Sequence, residues 1–142
     1  MREFNIEIAI AASVIDIWRV LTDVEHWPEW TQSVSRIEPL SGLPLGMGSR
    51  VRIYQPKLRP AVWKVTHWQP DHRFVWVANH PGITVVAEHT IAPRSSGCSV
   101  ALQVRFNGIL GPLLGGLSRG LVSRNLELEA TGLKARSEAQ TL

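Results

Sequence analysis

Residues 2–10 alternate by parity, with Phe4, Ile6, Ile8 and Ile10 on one side and Asn5, Glu7 and Ala9 on the other. A period of two sends successive side chains to opposite faces, so this stretch predicts a half-buried strand. The period then lengthens. Val14, Ile17, Trp18 and Leu21 recur at i, i+3, i+4 and i+7, one face of a helix, and Ser13 three residues before Asp16 marks its start. Pro28 fits the first turn of a second short helix, where a missing N–H costs nothing.

Beyond that point the pattern predicts strands at 33–39, 49–55, 61–69, 73–79, 83–92 and 98–107. Turn-rich pieces separate them: S-G-L-P-L-G-M-G, Q-P-K-L-R-P, Q-P-D-H, N-H-P-G and P-R-S-S-G. Connections this short favour antiparallel neighbours, hence a meander. The chain then reads as one long helix from Gly111 or Pro112 to Ser137, about 40 Å end to end. Gly111, Gly115, Gly116 and Gly120 weaken its first half, each by about 1 kcal/mol relative to alanine, which points to a bend or a close approach.

Parity also sorts the faces. Ile83, Val85, Ala87, His89 and Ile91 share one side of their strand, against Thr84, Val86, Glu88 and Thr90. Val100, Leu102, Val104 and Phe106 oppose Ser99, Ala101, Gln103, Arg105 and Asn107. Phe74, Trp76 and Ala78 oppose Val75 and Val77, while Trp63, Val65 and His67 alternate with Val62, Lys64, Thr66 and Trp68. On the last helix, about 100° per residue gathers Leu121, Val122, Asn125, Leu128, Glu129, Gly132 and Leu133 on one arc, with Leu126 and Ala130 flanking the opposite side.

The 142 residues, 44% hydrophobic and 19% charged, are those of one ordinary globular domain over 1–142. Six tryptophans against one tyrosine suggest a wide, aromatic-lined interior. The net charge of +3 invites a nucleic-acid reading, but the arginines are dispersed and no nucleic-acid motif accompanies them. Arg50, Arg52, Lys57, Arg59 and Lys64 read as the solvated face of a hairpin. The single cysteine, Cys98, excludes an intramolecular disulfide. The N-terminus lacks the apolar run of a signal peptide, and the most apolar window, 109–117, is too short to span a bilayer. A soluble, cytoplasmic protein without stable membrane insertion is expected.

Motifs that carry chemistry are sparse. The five histidines show no metal-ligand spacing, and no nucleophile elbow, P-loop or dinucleotide fingerprint occurs, so neither a metal nor a cofactor is expected. Cys98 has no activating base near it in sequence and reads as structural.

The order strand, two helices, six strands, long helix carries a resemblance. So do the opening A-S-V-I-D-I-W-R-V-L-T-D-V-E-H-W-P-E-W and the closing F-N-G-I-L…E-A-T-G-L-K. The chain resembles the START-like superfamily, which includes the polyketide cyclase/dehydrase proteins, the birch-pollen-allergen type and lipid-transfer START domains. The resemblance implies an α+β helix-grip fold, with a curved antiparallel sheet of about seven strands in the order β-α-α-β6-α. That sheet grips the C-terminal helix, a cavity lies between them, and two short helices close one end.

With a cavity implied, the faces acquire a use. Trp63, Trp76, Val85, His89 and Phe106 become wall candidates, joined from the helix by Leu121, Asn125 and Glu129. Trp27 is assigned to packing, and Trp30 to packing with a share in ligand contact. His89 and Glu129 are the sharper candidates, because a polar group amid an apolar face is costly unless partnered. Burial disfavours the charged form of an acid or a base, so the pair could exchange a proton in a dry pocket, or orient a ligand hydroxyl or carbonyl equally well. Leu58, Pro81 and Leu110 would form an apolar gate between the 55–60 loop, the 79–82 loop and the start of the last helix.

Three readings follow. The first is a binder of a small hydrophobic or amphipathic molecule, lipid-like or polyketide-like, since ligand sites combine apolar walls with a few convergent polar groups. The second is a polyketide cyclase or dehydratase with His89 and Glu129 as catalytic proton carriers. The third is a protein-interaction or regulatory module, favoured if the tryptophans fill the cavity. A homodimer would use an edge strand or the outer face of the last helix, with no residue set pointing to it.

Overall fold

The computed structural model describes residues 2–111 and 119–140, the side chain of residue 140 excepted. Strand β1 (Arg2–Ile10) leads into helix α1 (Val14–Thr22) and a 3-10 helix (Val24–Glu29). Six strands follow: β2 (Arg36–Pro39), β3 (Arg50–Tyr54), β4 (Ala61–Gln69), β5 (Arg73–His80), β6 (Ile83–Pro93) and β7 (Cys98–Asn107). Helix α2 (Arg119–Gln140) closes the chain. All adjacent strands pair antiparallel in the order β1-β7-β6-β5-β4-β3-β2. The meander is therefore continuous from β2 to β7, and β1 is added beside β7. Helix α2 packs on β1, β7 and α1. The helix-grip arrangement is thus present. The expected helical turns over 112–118 lie outside the described residues.

Local chemistry explains the boundaries. The Asp16 amide donates to Ser13 Oγ at 3.1 Å, so serine caps one of the orphan donors of α1. Residues 33–35 stay out of β2 because Thr31 and Ser33 close a turn. Their hydroxyls are 2.7 Å apart, and the Val34 amide reaches Thr31 O. Pro28 sits near the end of the 3-10 helix rather than in the first turn of an α-helix. There its missing amide hydrogen removes only the bond back to the preceding turn, and the Trp30 and Thr31 amides both donate to Trp27 O as the helix ends.

One expected parity is overturned. The β4–β5 register runs Lys64 to Val77 and Val65 to Trp76, then skips to His67 opposite Val75 and Trp68 opposite Phe74. Thr66 is the extra residue of a β-bulge, and an extra residue exchanges the faces of everything after it. His67 is consequently exposed. Trp68 turns inward instead, 5.1 Å from the Trp18 ring and 5.9 Å from Phe74.

The helix face is also rotated. The buried residues of α2 are Leu126, Ala130, Leu133 and Ser137, so Leu126 and Ala130 belong to the core, while Leu121 and Leu128 are only half-buried. Gly132 shows why. A Cβ there would stand 2.0 Å from the Trp30 carbonyl oxygen. The backbone of Trp30 takes the flank of α2 that the arc had assigned to the interior, and the helix turns its Leu126 side to the sheet.

Candidate functional site

A cavity of about 410 Å³ lies between the concave face of the sheet and α2. Its wall is built by alternation: Ile83, Val85, Ala87 and His89 from β6, Val104 and Phe106 from β7, and Trp76 from β5. Trp63 of β4 continues that wall, its ring 6.0 Å from Trp76. The helix contributes Val122, Asn125, Leu126 and Glu129. Gln55, Leu58 and Arg59 from the 55–60 turn, His80 at the end of β5 and Pro81 beyond it line the cavity at one end.

Of the residues singled out in the sequence, Trp63, Trp76, Val85, His89, Phe106, Asn125 and Glu129 line this space, whereas Trp30 and Leu121 do not. Trp30 is held on the flank of α2 by the Gly132 contact. Leu121 lies on the side of the helix turned away from the Leu126 seam. The two neighbouring tryptophans exchange roles. Trp27 is the one at the cavity, its ring 5.4 Å from Trp76, and its indole N–H donates to Leu21 O at 3.0 Å. That bond fixes the ring by its polar edge and leaves its apolar face to the interior. Leu58 and Pro81 line the mouth, while Leu110 is held over the β5–β6 turn, its N–H donating to Gly82 O at 2.9 Å.

His89 is buried and immobilised on three sides. It stacks on its cross-strand partner Phe74 (centroids 4.2 Å apart, planes 11° apart), while Trp76 meets it edge-on at 5.6 Å and Trp27 stands 6.0 Å away. Its Nδ1 is 3.4 Å from Phe74 O. A carbonyl only accepts, so Nδ1 carries the hydrogen and Nε2 is the nitrogen that can vary. Nε2 faces Glu129 Oε1 at 3.3 Å. That distance suits an ion pair, but the alignment does not make a hydrogen bond: Oε1 is buried and has no donor among the described residues. The arrangement can therefore hold one proton between an imidazole and a carboxylate, or present an acceptor to a ligand hydroxyl.

Other reactive groups are spoken for. Burial pushes the Cys98 thiol up, more than the Arg94 charge lowers it, and Sγ lies against Ala12 O at 3.4 Å. On the convex face, burial alone would raise the Glu88 carboxyl. Hydrogen bonds and charge from Arg73 and Arg105 outweigh it and hold the group below the usual carboxylate range. Arg52 is paired with Glu38, and Arg50 and Lys64 lie exposed opposite one another across β3 and β4, a solvated hairpin face. Asp23, Glu25 and His26 bring ligand atoms within 4.8 Å of one another at the surface, with His26 Nδ1 already on Asp23 at 2.8 Å. Among the described residues no helix is long and apolar enough to cross a membrane.

Comparison with solved structures places this geometry. The chain is similar to the Zhui aromatase/cyclase from Streptomyces sp. R1128, with a TM-score of 0.80 at 16% identity, covering 99% of this chain and 96% of that one. It is similar to norcoclaurine synthase of Thalictrum flavum, with a TM-score of 0.77 at 14% identity over 99% and 96% of the two chains. The di-domain aromatase/cyclase StfQ of the steffimycin biosynthetic pathway gives 0.75 at 16% identity. There the match covers 98% of this chain but 51% of that one, so this chain spans about half of the di-domain protein. At these identities the likeness is one of fold. No curated protein sequence matches the chain. Residues 1–138 match the model described as polyketide cyclase/dehydrase and lipid transport, and the chain belongs to that family.

Proposed function

We propose that the chain, as one ligand-binding domain over residues 1–142, binds a small hydrophobic or amphipathic molecule in the cavity between sheet and α2. The observation that carries this reading is the cavity itself: about 410 Å³ walled by tryptophans, aliphatic residues and Phe106, with His89, Glu129 and Asn125 converging on it. Volumes of roughly 300–1,000 Å³ with few polar groups are usual for such sites. The third reading, an interaction module with a self-filled core, loses its support, since Trp27, Trp63 and Trp76 line the space rather than fill it.

Native mass spectrometry of the purified protein, followed by extraction of any bound molecule, tests the reading. A fatty acid, sterol-like or polycyclic compound at near-stoichiometric occupancy is the expected result. A clean apo mass, with no thermal shift across a hydrophobic ligand panel, would overturn it.

The geometry of His89 and Glu129 favours a second reading, a cyclase or dehydratase step. Nε2 and Oε1 are 3.3 Å apart and both groups line the cavity, so a proton removed from a bound polyketone could be carried by one and returned by the other. In that case His89→Ala and Glu129→Gln abolish turnover while leaving affinity within a few-fold. A pure binder shows the reverse order, with Trp63→Ala and Trp76→Ala costing more.

A further inference from the structure

Strands β3, β5 and β7 run toward one end of the sheet, and β4 and β6 leave it. The 55–60 turn, the 81–82 turn and the segment 107–111 therefore project together around the cavity mouth. Three large apolar side chains stand exposed there: Ile109 is 92% exposed, Leu58 41% and Leu110 40%. The Leu110 position is built rather than loose. Besides its hydrogen bond to Gly82 O, its side chain lies over Gly82, where a φ of +77° favours glycine.

The charges in the segments around the mouth are of one sign, although Glu3 at the start of β1 stands at the same end of the sheet, opposite Arg105. Lys57 and Arg59 are exposed in the 55–60 turn, and Arg119 and Arg124 are exposed on the first two turns of α2, beside Val122 and Asn125 of the cavity wall. Segments 55–60, 79–83, 107–111 and 119–126 contain no aspartate or glutamate. Lys57, Arg59, Arg119 and Arg124 make no ion pair among the described residues, whereas Arg52, Arg73, Arg105 and Arg136 are all paired elsewhere. At the far end of the sheet, Asp71 occupies the β4–β5 turn and Asp16 the first turn of α1.

We infer that the cavity mouth is a reversible docking face for an anionic lipid bilayer, with Ile109, Leu58 and Leu110 entering the headgroup layer and Lys57, Arg59 and Arg119 meeting lipid phosphates. The inference rests on the cavity-binding reading, because docking in this orientation opens the cavity onto the layer from which an amphipathic ligand partitions. Apolar tips and cations act together in peripheral binding: insertion supplies the short-range attraction, and the negative surface potential supplies a longer-range one. A bilayer is favoured over an acidic protein because the apolar tips protrude from two separate segments, Leu58 from the 55–60 turn and Ile109 and Leu110 from 107–111. A fluid interface accepts such tips without a matching surface.

Sedimentation with sucrose-loaded vesicles tests this. The protein is expected to pellet with vesicles of mixed phosphatidylglycerol and phosphatidylcholine, to do so less as salt rises, and to stay in solution with phosphatidylcholine alone. Ile109→Asp and Lys57→Glu, neither of which lines the cavity, each lower the partition by about tenfold. Arg94→Gln, at the far end of the sheet, leaves it unchanged. Unaltered melting temperatures show that the variants are folded. Equal pelleting with both vesicle types would overturn the inference. So would pelleting that ignores Ile109→Asp and Lys57→Glu, or retention on polyglutamate without vesicle binding. A soluble ligand assay on the same variants separates the two proposals. Variants that dock less but bind ligand as the parent does support the docking face; a parent that binds ligand but no vesicle removes only the docking face, and one that binds vesicles but no ligand removes only the cavity reading.

Discussion

Nε2 of His89 on β6 stands 3.3 Å from Oε1 of Glu129 on α2, a polar contact between sheet and helix inside a mostly apolar cavity. The contact is incomplete, since Oε1 is buried and lacks a hydrogen-bond donor among the described residues. An unsatisfied buried acceptor costs about 1–3 kcal/mol. Glu129→Met, of similar length and without that oxygen, is expected to raise Tm by about 3 °C and to weaken binding of a hydroxylated ligand. Calorimetry beside a ligand titration checks both. A lower Tm would mean that the pair stabilises the fold as an ion pair.

Gly132 is irreplaceable for a reason that helix propensity alone does not show. Alanine normally gains about 1 kcal/mol over glycine within a helix, yet a Cβ at 132 would lie 2.0 Å from the Trp30 backbone oxygen. Gly132→Ala is expected to destabilise by about 1–3 kcal/mol, as overpacking does. Gly120→Ala has open space around it and is expected to be neutral or stabilising by up to about 1 kcal/mol. Urea denaturation of the two variants reads the contrast, and equal behaviour would refute the close approach.

Acid sensitivity is expected from the convex face. Arg73 and Arg105 hold the Glu88 carboxyl below its unfolded value despite partial burial. A depressed folded pKa contributes stability that is fully present above the unfolded value and is lost as pH falls through the folded one. Glu88→Gln should therefore be less stable than the parent at neutral pH. The gap should close on acidification below the usual carboxylate range. A gap that stays constant down to low pH would contradict the assignment.

Cys98 should behave as an inert thiol. It is buried, and burial raises its pKa, while the thiolate is the reactive form. Native protein is expected to react with an aromatic disulfide reagent many-fold more slowly than protein in denaturant. Comparable rates would show that the β7 start opens readily.

The parity of β1, β6 and β7, the Ser13 cap and the placement of His89 and Phe106 on an inward face were legible in the sequence. Each follows from backbone geometry acting over a few residues: alternate Cβ atoms in a strand diverge whatever surrounds them, and a serine three residues before an amide reaches it locally. Tertiary structure decided what no local period contains. The Thr66 bulge sends His67 out and Trp68 in, because it answers the register demanded by β5. Trp27 rather than Trp30 reaches the cavity, because one indole found Leu21 O and the other found Gly132. Helix α2 turns its Leu126 side inward for the same reason, since the rotation of a helix about its own axis is set by what it packs against. The distance between His89 and Glu129, 40 residues apart, is likewise a product of that rotation and of the curve of the sheet.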